Sequence, residues 1–452
     1  MEMLDVKPIV YVVHCIDTEG PLYESHEAIF DLLEKEFGIK LMPTESNYKK
    51  LLKKELDFGD NTKGVYNLID PNKFAINGDW EILFHNIEHI TTPEFRNKLL
   101  DSSGHGWIYN WFCMDHVGFT GDNPRRRDSG HHKIFDKYMS LIKKQNLGDI
   151  VQFHHHPVPH SGNFHESGIS YWGRNTLDDI LTRKIIDRSW FPTVYRPGFH
   201  TERPDSNWFL EQWIPFDYAN QAVANVIDNQ PRVAYGRFGD WRHAPVEWKP
   251  YHPSHDDYQK KGECRRWITR CLNMYARLRE INQQDVDEAF ACAQQTGTAI
   301  LAFTDHDYKN MEFDVNRIRA LIEKSAAKFK DVEYLYSDAI TAMRCCCGLQ
   351  YSDIGMQADI KNEDGRIVLK VATQNDIFGP QPYLALKLND GRYLWDNFDF
   401  YKKNVWVYTF DADSVPYPYI DKIGVATNNA YGKVEILNYD KKIYKWNKTL
   451  LN

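Results

Sequence analysis

Two acidic residues separated by one position follow the first apolar run of the chain, in the sequence CIDTEG at residues 15–20. Residues i and i+2 of an extended chain point the same way, so Asp17 and Glu19 are expected to share one face. Two carboxylates this close repel each other unless a cation lies between them or one is protonated. A divalent metal held by Glu19, with Asp17 left as a base, would relieve the repulsion. A turn with two solvated acids is the alternative.

A histidine cluster follows a later apolar run, in HHHPVPH at residues 154–160. Proline pushes the residue before it into an extended conformation, and this applies to His156. With a period near two, His154, His156 and His160 fall on one face and His155 on the other. Imidazoles are common ligands of zinc-like ions. The cluster therefore predicts a metal site, and its spacing leaves open which of the three histidines on that face bind.

Two further residues at the ends of apolar runs have side chains suited to catalysis. Arg196 lies in YRPGF at residues 195–199, and it is either an ordinary salt-bridge partner or the group that orients Asp17. His306 lies in AFTDHD at residues 302–307, with an acid on each side. A histidine polarised by an acid suits a general acid, whereas the alternative is a hydrogen-bonded structural histidine.

The elements that must position these residues alternate between strand-like and helix-like runs over the first 348 residues. Such alternation predicts a parallel sheet, open or closed into a barrel. The polar residues above lie at or just beyond the carboxyl ends of predicted strands, where the loops of a βα fold meet around one mouth. The predicted strands are Pro8–Ile16, Trp107–Met114, Asp149–His154, Thr193–Phe199, Arg232–Arg237, Thr298–Thr304 and Val332–Tyr336. The predicted helices are His132–Gln145, Ser206–Trp213, Glu263–Arg279, Asp285–Gln295 and Val315–Lys328.

Two departures from this alternation predict the domain organisation. Residues 21–105 interrupt it and are expected to be a large insertion after strand 1 that covers one side of the mouth. After Gly348 the helical pattern stops, and Asp-Gly pairs at 364–365 and 390–391 predict hairpins. The predicted fold is therefore α/β: a deformed (β/α) barrel of about seven strands over residues 1–348, followed by an all-β, sandwich-like accessory domain of six or seven strands over residues 349–452.

The composition excludes some classes of protein. Among 452 residues, 55 Lys and Arg against 63 Asp and Glu give a net charge of −8, which argues against a nucleic-acid binder that relies on phosphate neutralisation. No window approaches the ~18 consecutive apolar residues of a membrane span. The first 20 residues lack the pattern of a secretory signal, and the eight cysteines are scattered. These features predict a cytoplasmic protein with reduced thiols. They leave homo-oligomer formation open.

Taken in chain order, the four polar segments resemble the NodB-homology domain of the polysaccharide deacetylase superfamily (carbohydrate esterase family 4), in a divergent branch associated with surface-polysaccharide biosynthesis. The resemblance covers most of residues 1–340. The DTE sequence at residues 17–19 looks like the motif that supplies an Asp base and a metal-binding acid, with Glu in place of the second Asp. The segment GDIVQFH aligns with the family's second motif and selects His154. The family's four-residue spacing instead selects His156 and His160, so all three stay candidates.

The remaining motifs of the family have weaker counterparts. Arg196 and the Pro-Gly-Phe sequence that follows it are similar to the family's third motif, with the order of Pro and Gly altered. The Asp-Trp pair that lines the groove in the family has its nearest counterpart in Asp240 and Trp241, the candidate substrate-binding residues. The run Leu301–His306 resembles the aliphatic strand that leads to the family's last histidine.

The resemblance implies one divalent metal ion, foremost Zn²⁺ with Co²⁺, Ni²⁺ or Mn²⁺ as alternatives, bound by Glu19 and two of the three histidines. It implies that Asp17 is the base, that Arg196 orients it and that His306 is the general acid. The implied substrate is an N-acetylated sugar or glycan intermediate, as in the biosynthesis of an O-antigen or capsule.

Two rival functions stay open at this point: a catalytically inactive homologue that binds glycan, and a metal-dependent barrel hydrolase of another class. A binder has no need for Asp17, Arg196 and His306 to converge, so their placement distinguishes the first rival from the hydrolase.

Overall fold

The first part of the chain forms a closed barrel of parallel strands surrounded by helices. The computed structural model describes residues 7–23, 25–115, 130–157, 175–224, 239–274 and 280–452. The barrel strands are β1 (Ile9–Thr18), β2 (Tyr109–Met114), β3 (Ile150–His155), β4 (Val194–Pro197), β5 (Phe216–Asn220), β6 (Trp267–Asn273) and β7 (Thr298–His306). These seven strands of the described chain pair in sequence from β2 to β7, β1 pairs with β7, and a pairing between β1 and β2 closes the ring.

Strand β1 is where the barrel closes. Along one edge it pairs with β7 from Ile9 to Asp17. Along the other edge its first half, Ile9 to Val12, pairs with β8 (Glu333–Tyr336), and its second half, His14 to Thr18, pairs with β2. Because every pairing in the ring is parallel, the carboxyl ends of the seven strands meet at one mouth.

Alternate residues of the strands fill the barrel. Tyr11, Val13 and Cys15 of β1 belong to an interior cluster that also contains Phe112 of β2 and Tyr218 of β5. The intervening β1 residues are also buried, against the helices outside the barrel. Strands buried on both faces read as nearly continuous apolar runs, as β1 does. The same two-residue period carries Asp17 to the inward side at the mouth.

Helices connect the strands and cover the barrel. Among the described residues, five helices lie between β1 and β2, three follow β2, β3 and β4, and three more follow β6, β7 and β8. They are α1 (His26–Phe37), α2 (Glu45–Leu52), α3 (Thr62–Leu68), α4 (Trp80–Ile90), α5 (Pro93–Arg96), α6 (Lys133–Gln145), α7 (Thr176–Arg188), α8 (Pro204–Trp213), α9 (Gln283–Thr296), α10 (Met311–Lys328) and α11 (Ala339–Cys346). No described helix has the length and apolar character that crossing a membrane requires.

The segment between β1 and β2 has a small core of its own, formed by apolar residues of α1, α2 and α3. Its following loop contacts the mouth of the barrel. The backbone N–H of Ile76 donates to the carbonyl of Tyr308 at 2.9 Å, and Asn77 Nδ2 donates to the carbonyl of Asp307 at 2.8 Å. Part of the segment expected as an insertion therefore lies beside the end of β7.

The C-terminal part consists of two antiparallel sheets with a common core. One sheet has the order β13-β14-β10-β9 and the other β12-β11-β15-β16-β17. Their strands are β9 (Gln357–Glu363), β10 (Arg366–Ala372), β11 (Tyr383–Leu388), β12 (Tyr393–Asp396), β13 (Asp399–Lys402), β14 (Val405–Phe410), β15 (Ile420–Asn428), β16 (Val434–Asp440) and β17 (Lys445–Leu451). The outer face of the five-stranded sheet packs on the barrel, where Tyr383, Ala426 and Ile436 join the large cluster of the barrel helices.

The hairpin at Asp364-Gly365 is confirmed: both residues have positive φ, 50° and 83°, as a two-residue turn requires. The hairpin at residues 390–391 is also confirmed. The helix expected over Glu263–Arg279 is wrong, because this segment contains β6, whose residues Ile268 and Cys271 are fully buried. The C-terminal part, all of it described, has nine strands instead of the six or seven expected. The strand expected over Arg232–Arg237 lies outside the described residues.

Candidate metal centre

Three potential metal ligands meet at the mouth of the barrel. Glu19, His154 and His156 each offer one atom, and these atoms lie within 4.8 Å of one another. The Nε2 atoms of the two histidines are 3.1 Å apart. Glu19 Oε1 lies 3.5 Å from His156 Nε2 and 4.0 Å from His154 Nε2. All three residues are buried, with exposed fractions of 3%, 1% and 3%.

The spacing of these atoms fits a single cation. Ligand atoms about 2.1 Å from a tetrahedral zinc ion lie about 3.4 Å from one another, and the separations of 3.1 to 4.0 Å bracket that value. One carboxylate with two imidazoles is also a ligand set that zinc takes in hydrolases. The residues present therefore fit a divalent metal.

A hydrogen bond to the backbone of β4 fixes the proton on the His154 ring. His154 Nδ1 lies 2.9 Å from the carbonyl oxygen of Arg196. A carbonyl only accepts, so Nδ1 carries the hydrogen and Nε2 keeps its lone pair. Burial lowers the pKa of His154 to about 4, against the opposing effect of Asp17, so the ring is neutral at neutral pH. A neutral imidazole with its second nitrogen hydrogen-bonded is the form that binds metals.

The period-two argument from the sequence holds for the described residues of both motifs. Asp17 and Glu19 lie on one side, because Asp17 is 3.6 Å from Nδ1 and Glu19 4.0 Å from Nε2 of His154. His154 and His156 also share a side, and their rings meet edge to face at 4.9 Å. His155 lies on the opposite side, where its ring is parallel to that of Phe153. The prediction that His155 faces away is confirmed.

The turn after β4 is shaped around His156. A Cβ atom at Gly198 would lie 2.3 Å from Cγ of His156, so only glycine allows the ring to occupy this position. The next two residues, Phe199 and His200, have φ values of 53° and 51°, a left-handed conformation that is uncommon outside glycine. Such strain is concentrated at functional sites. The Phe199 ring contacts His156 edge to face at 4.7 Å.

Asp17 forms a buried ion pair with Arg196. Arg196 Nε donates to Oδ1 of Asp17 at 2.6 Å, and Nη2 donates to Oδ2 at 2.9 Å. Burial alone would raise the pKa of Asp17, but the charge and the hydrogen bonds of Arg196 outweigh burial and keep the pKa well below its usual range. Asp17 is therefore ionised, and both of its oxygens have fixed directions.

Arg196 is itself held by groups inside the barrel. Its Nη1 donates to the carbonyl of Tyr218 and to Sγ of Cys271, the latter at 3.1 Å. Arg196 is 0% exposed. The sequence predicted that this arginine could orient Asp17, and the two parallel hydrogen bonds confirm the contact. The contact between Arg196 and Cys271 was not predicted, because the segment that contains Cys271 was predicted to be a helix.

His306 completes the group from the end of β7. It pairs with Asp17 in the sheet register, and its Nε2 lies 3.9 Å from Glu19 Oε1. Its side chain is 20% exposed, against 4% for Glu19, so its ring lies on the open side of the site. The neighbouring Asp305 accepts a hydrogen bond at 2.6 Å from the backbone N–H of His306.

Asp307 supports the candidate ligand Glu19 through the backbone, a role that the sequence did not reveal. Its carboxylate accepts hydrogen bonds from the N–H groups of Glu19 at 3.1 Å and Gly20 at 2.9 Å, and from the hydroxyl of Tyr138 at 2.8 Å. Burial raises the pKa of Asp307 to about 7, against the opposing effect of these hydrogen bonds. Asp307 therefore fixes the chain directly after β1.

The other candidate residues lie outside this group. Trp241 is 2% exposed, and its Nε1 donates to the carbonyl of His200 at 2.8 Å. Its ring thus supports the turn after β4. Asp240 forms an ion pair with Arg242 at 2.6 Å. The assignment of Asp240 and Trp241 to substrate binding stays a prediction, and His160 lies outside the described residues.

Comparisons of the chain with protein-family models, with curated proteins and with solved structures found no match. The resemblance of the motifs to the deacetylase family therefore stays a prediction, and the function must be argued from the site itself.

Proposed function

We propose that the protein is a metal-dependent hydrolase that removes an N-acyl group, foremost acetyl, from a sugar. The observation that carries this proposal is the shared position of His154. One nitrogen of its ring is 3.6 Å from Asp17, and the other belongs to the ligand group with Glu19 and His156. A fixed, ionised carboxylate beside a metal site is an arrangement that suits the hydrolysis of an unreactive amide.

Glu19, His154 and His156 would hold one divalent ion, foremost Zn²⁺. When bound, such an ion supplies a Lewis acid and lowers the pKa of a coordinated water. His160 stays a further candidate ligand.

The remaining residues of the site have separate tasks in this proposal. Asp17 accepts the proton of the attacking water, and Arg196 keeps that carboxylate ionised and aimed. His306 donates a proton to the departing amine nitrogen, which is a poor leaving group without one. The location of the His306 ring on the open side suits this task, because the leaving group departs toward solvent.

The convergence of these side chains favours catalysis over simple glycan binding. Asp17, Arg196 and His306 come from three different strands and meet within one site. A protein that only binds glycan gains nothing from a buried Asp–Arg pair, which costs desolvation free energy. The N-acetylated sugar as substrate rests on the motif resemblance alone, as does a role in surface-glycan biosynthesis.

Acetate release from short N-acetylated sugars, with and without a chelator, tests the proposal. We expect release that depends on the metal, loss of bound metal in Glu19→Ala and His156→Ala, and retained metal without turnover in Asp17→Asn. The exposed His105 provides a matched control, because His105→Ala should keep both metal and activity. Metal content that is unchanged in Glu19→Ala and His156→Ala, or hydrolysis that survives Asp17→Asn, would refute the proposal.

A further inference from the structure

A second group of metal-ligating side chains lies at the other end of the barrel. Glu211, His255 and Cys264 each offer an atom within 4.8 Å of the others, and we call them the Cys264 cluster. Glu211 is in the last turn of α8, and Cys264 lies three residues before β6. Because α8 runs back from the mouth toward the amino ends of the strands, the cluster lies on the face opposite the metal centre.

The three side chains are held in place by the backbone. Residues 252–264 form a hairpin-like loop in which Ser254 N donates to Lys260 O and Cys264 N donates to Pro253 O, at 2.8 and 2.9 Å. This loop carries both His255 and Cys264. The N–H of Arg265 donates to Oε1 of Glu211 at 2.6 Å.

The second carboxylate oxygen of Glu211 faces His255. Glu211 Oε2 lies 2.7 Å from Nε2 of His255. The guanidinium of Arg265 lies on the other side of the carboxylate, 3.6 Å from Oε1, and its Nη1 donates to the carbonyl of Phe378 at 2.5 Å. The cationic group therefore stays with Oε1 and leaves Oε2 directed at the cluster.

Burial differs among the three ligands in a way that suits a metal site at the surface. Cys264 is 1% exposed, the Glu211 side chain 13% and the His255 side chain 47%. A coordinating metal takes up a cysteine as its thiolate. The exposed imidazole gives a cation a path of entry.

We propose that Glu211, His255 and Cys264 bind a second divalent cation of the zinc class, with water as the fourth ligand. One thiolate, one imidazole and one carboxylate make a ligand set that favours zinc over magnesium or calcium. Binding would displace the hydrogen between Glu211 and His255 and release the thiol proton of Cys264 to solvent, and the Glu211 and His255 ligand atoms would move from 2.7 Å to about 3.4 Å apart. The ion fastens the 252–264 loop to α8. This inference is independent of the proposed hydrolase activity.

Cobalt distinguishes the two sites, because only the Cys264 cluster contains sulfur. Titration of the metal-free protein with Co²⁺ is expected to produce the sulfur-to-cobalt charge-transfer band in the near ultraviolet. The band should persist in Glu19→Ala, which removes a ligand of the first site only. A wild-type protein that binds cobalt without this band would overturn the proposal, whatever its activity.

Variants of the cluster identify the thiol. Cys264→Ser should abolish the band and lower the zinc content by one equivalent, whereas the matched control Cys292→Ser should change neither. A band that persists in Cys264→Ser, and disappears when Cys345 to Cys347 are replaced, would also overturn the proposal. If Cys264→Ser does not fold, His255→Ala tests the site instead, because the exposed side chain of His255 is not needed for packing. This variant should lose one equivalent of zinc, and unchanged zinc content would refute the site.

Discussion

The buried pair of Asp17 and Arg196 allows a quantitative test of the site. Arg196→Met removes the guanidinium but keeps most of the side-chain volume. It leaves the Asp17 carboxylate, 4% exposed, without its two strongest hydrogen bonds. Arg196→Lys keeps the charge, but a single ammonium cannot reproduce the two parallel bonds of the guanidinium.

The expected losses follow from the burial of the pair. Removing one partner of a buried ion pair costs about 3–5 kcal/mol of unfolding free energy, and this is the expected loss for Arg196→Met. Arg196→Lys should lose about 1.5–3 kcal/mol, the value of one hydrogen bond to a charged group. Because the metal ligands are unchanged, we expect both variants to keep their zinc. Hydrolysis should fall about 10²–10⁴-fold as the base loses its fixed position.

A surface pair with the same geometry provides the control. Arg188 donates to Asp136 through Nε and Nη2, both at 2.7 Å, and these side chains are 35% and 44% exposed. Arg188→Met should lose about 0–1 kcal/mol. Urea unfolding of the variants, with zinc analysis and acetate release on the same samples, measures all three quantities. An Arg196→Met protein no less stable than Arg188→Met would show that the Asp17–Arg196 pair is not buried, and the reasoning would fail.

Three further substitutions test other parts of the structure. Gly198→Ala should expel His156 and lower the zinc content, and a variant with full zinc affinity would contradict the packing of that ring. Asp307→Asn weakens the support of the ligand backbone, so zinc affinity in a competition titration should fall about 10–100-fold, and unchanged affinity would remove Asp307 from this role. Burial raises the pKa of Asp178 to about 7, with its hydrogen bond to Tyr383 opposing. This ionisation therefore destabilises the folded state increasingly as the pH rises from about 4 to 7. Asp178→Asn should gain stability relative to the wild type over that range, by no more than about 4 kcal/mol, and a pH-independent difference would refute the assignment.

The sequence predicted the parts of the fold that depend on local periodicity. Strand β1 is apolar over almost its whole length, and its two-residue period also predicts that Asp17 and Glu19 lie on one side. The Asp-Gly turns predict their hairpins because only a few residues accept positive φ. The helix prediction for residues 263–279 failed because two charged residues of this segment, Arg266 and Arg270, are fully buried. A strand with charged residues at this spacing resembles an amphipathic helix unless their partners are known.

Those partners lie in other elements of the chain, so the sequence alone did not reveal the pairs. Arg266 pairs with Glu202 and Asp217, and Arg270 with Asp285. Asp307 likewise acts on residues about 290 positions away. A single sequence contains no signal for such pairings. The candidate ligands could be predicted, because they lie at the ends of apolar runs.

The closure of the barrel at β1 explains why the candidate chemistry lies where it does. Because β1 pairs with β2 through its second half only, its carboxyl end stands beside the ends of both β2 and β7. Asp17 is thereby within reach of His306 on one side and, across the interior, of Arg196 and His154. A shift of β1 by one residue would turn Asp17 outward and separate all four groups. The register of this one strand is therefore what places the candidate ligands and the proposed base in one site.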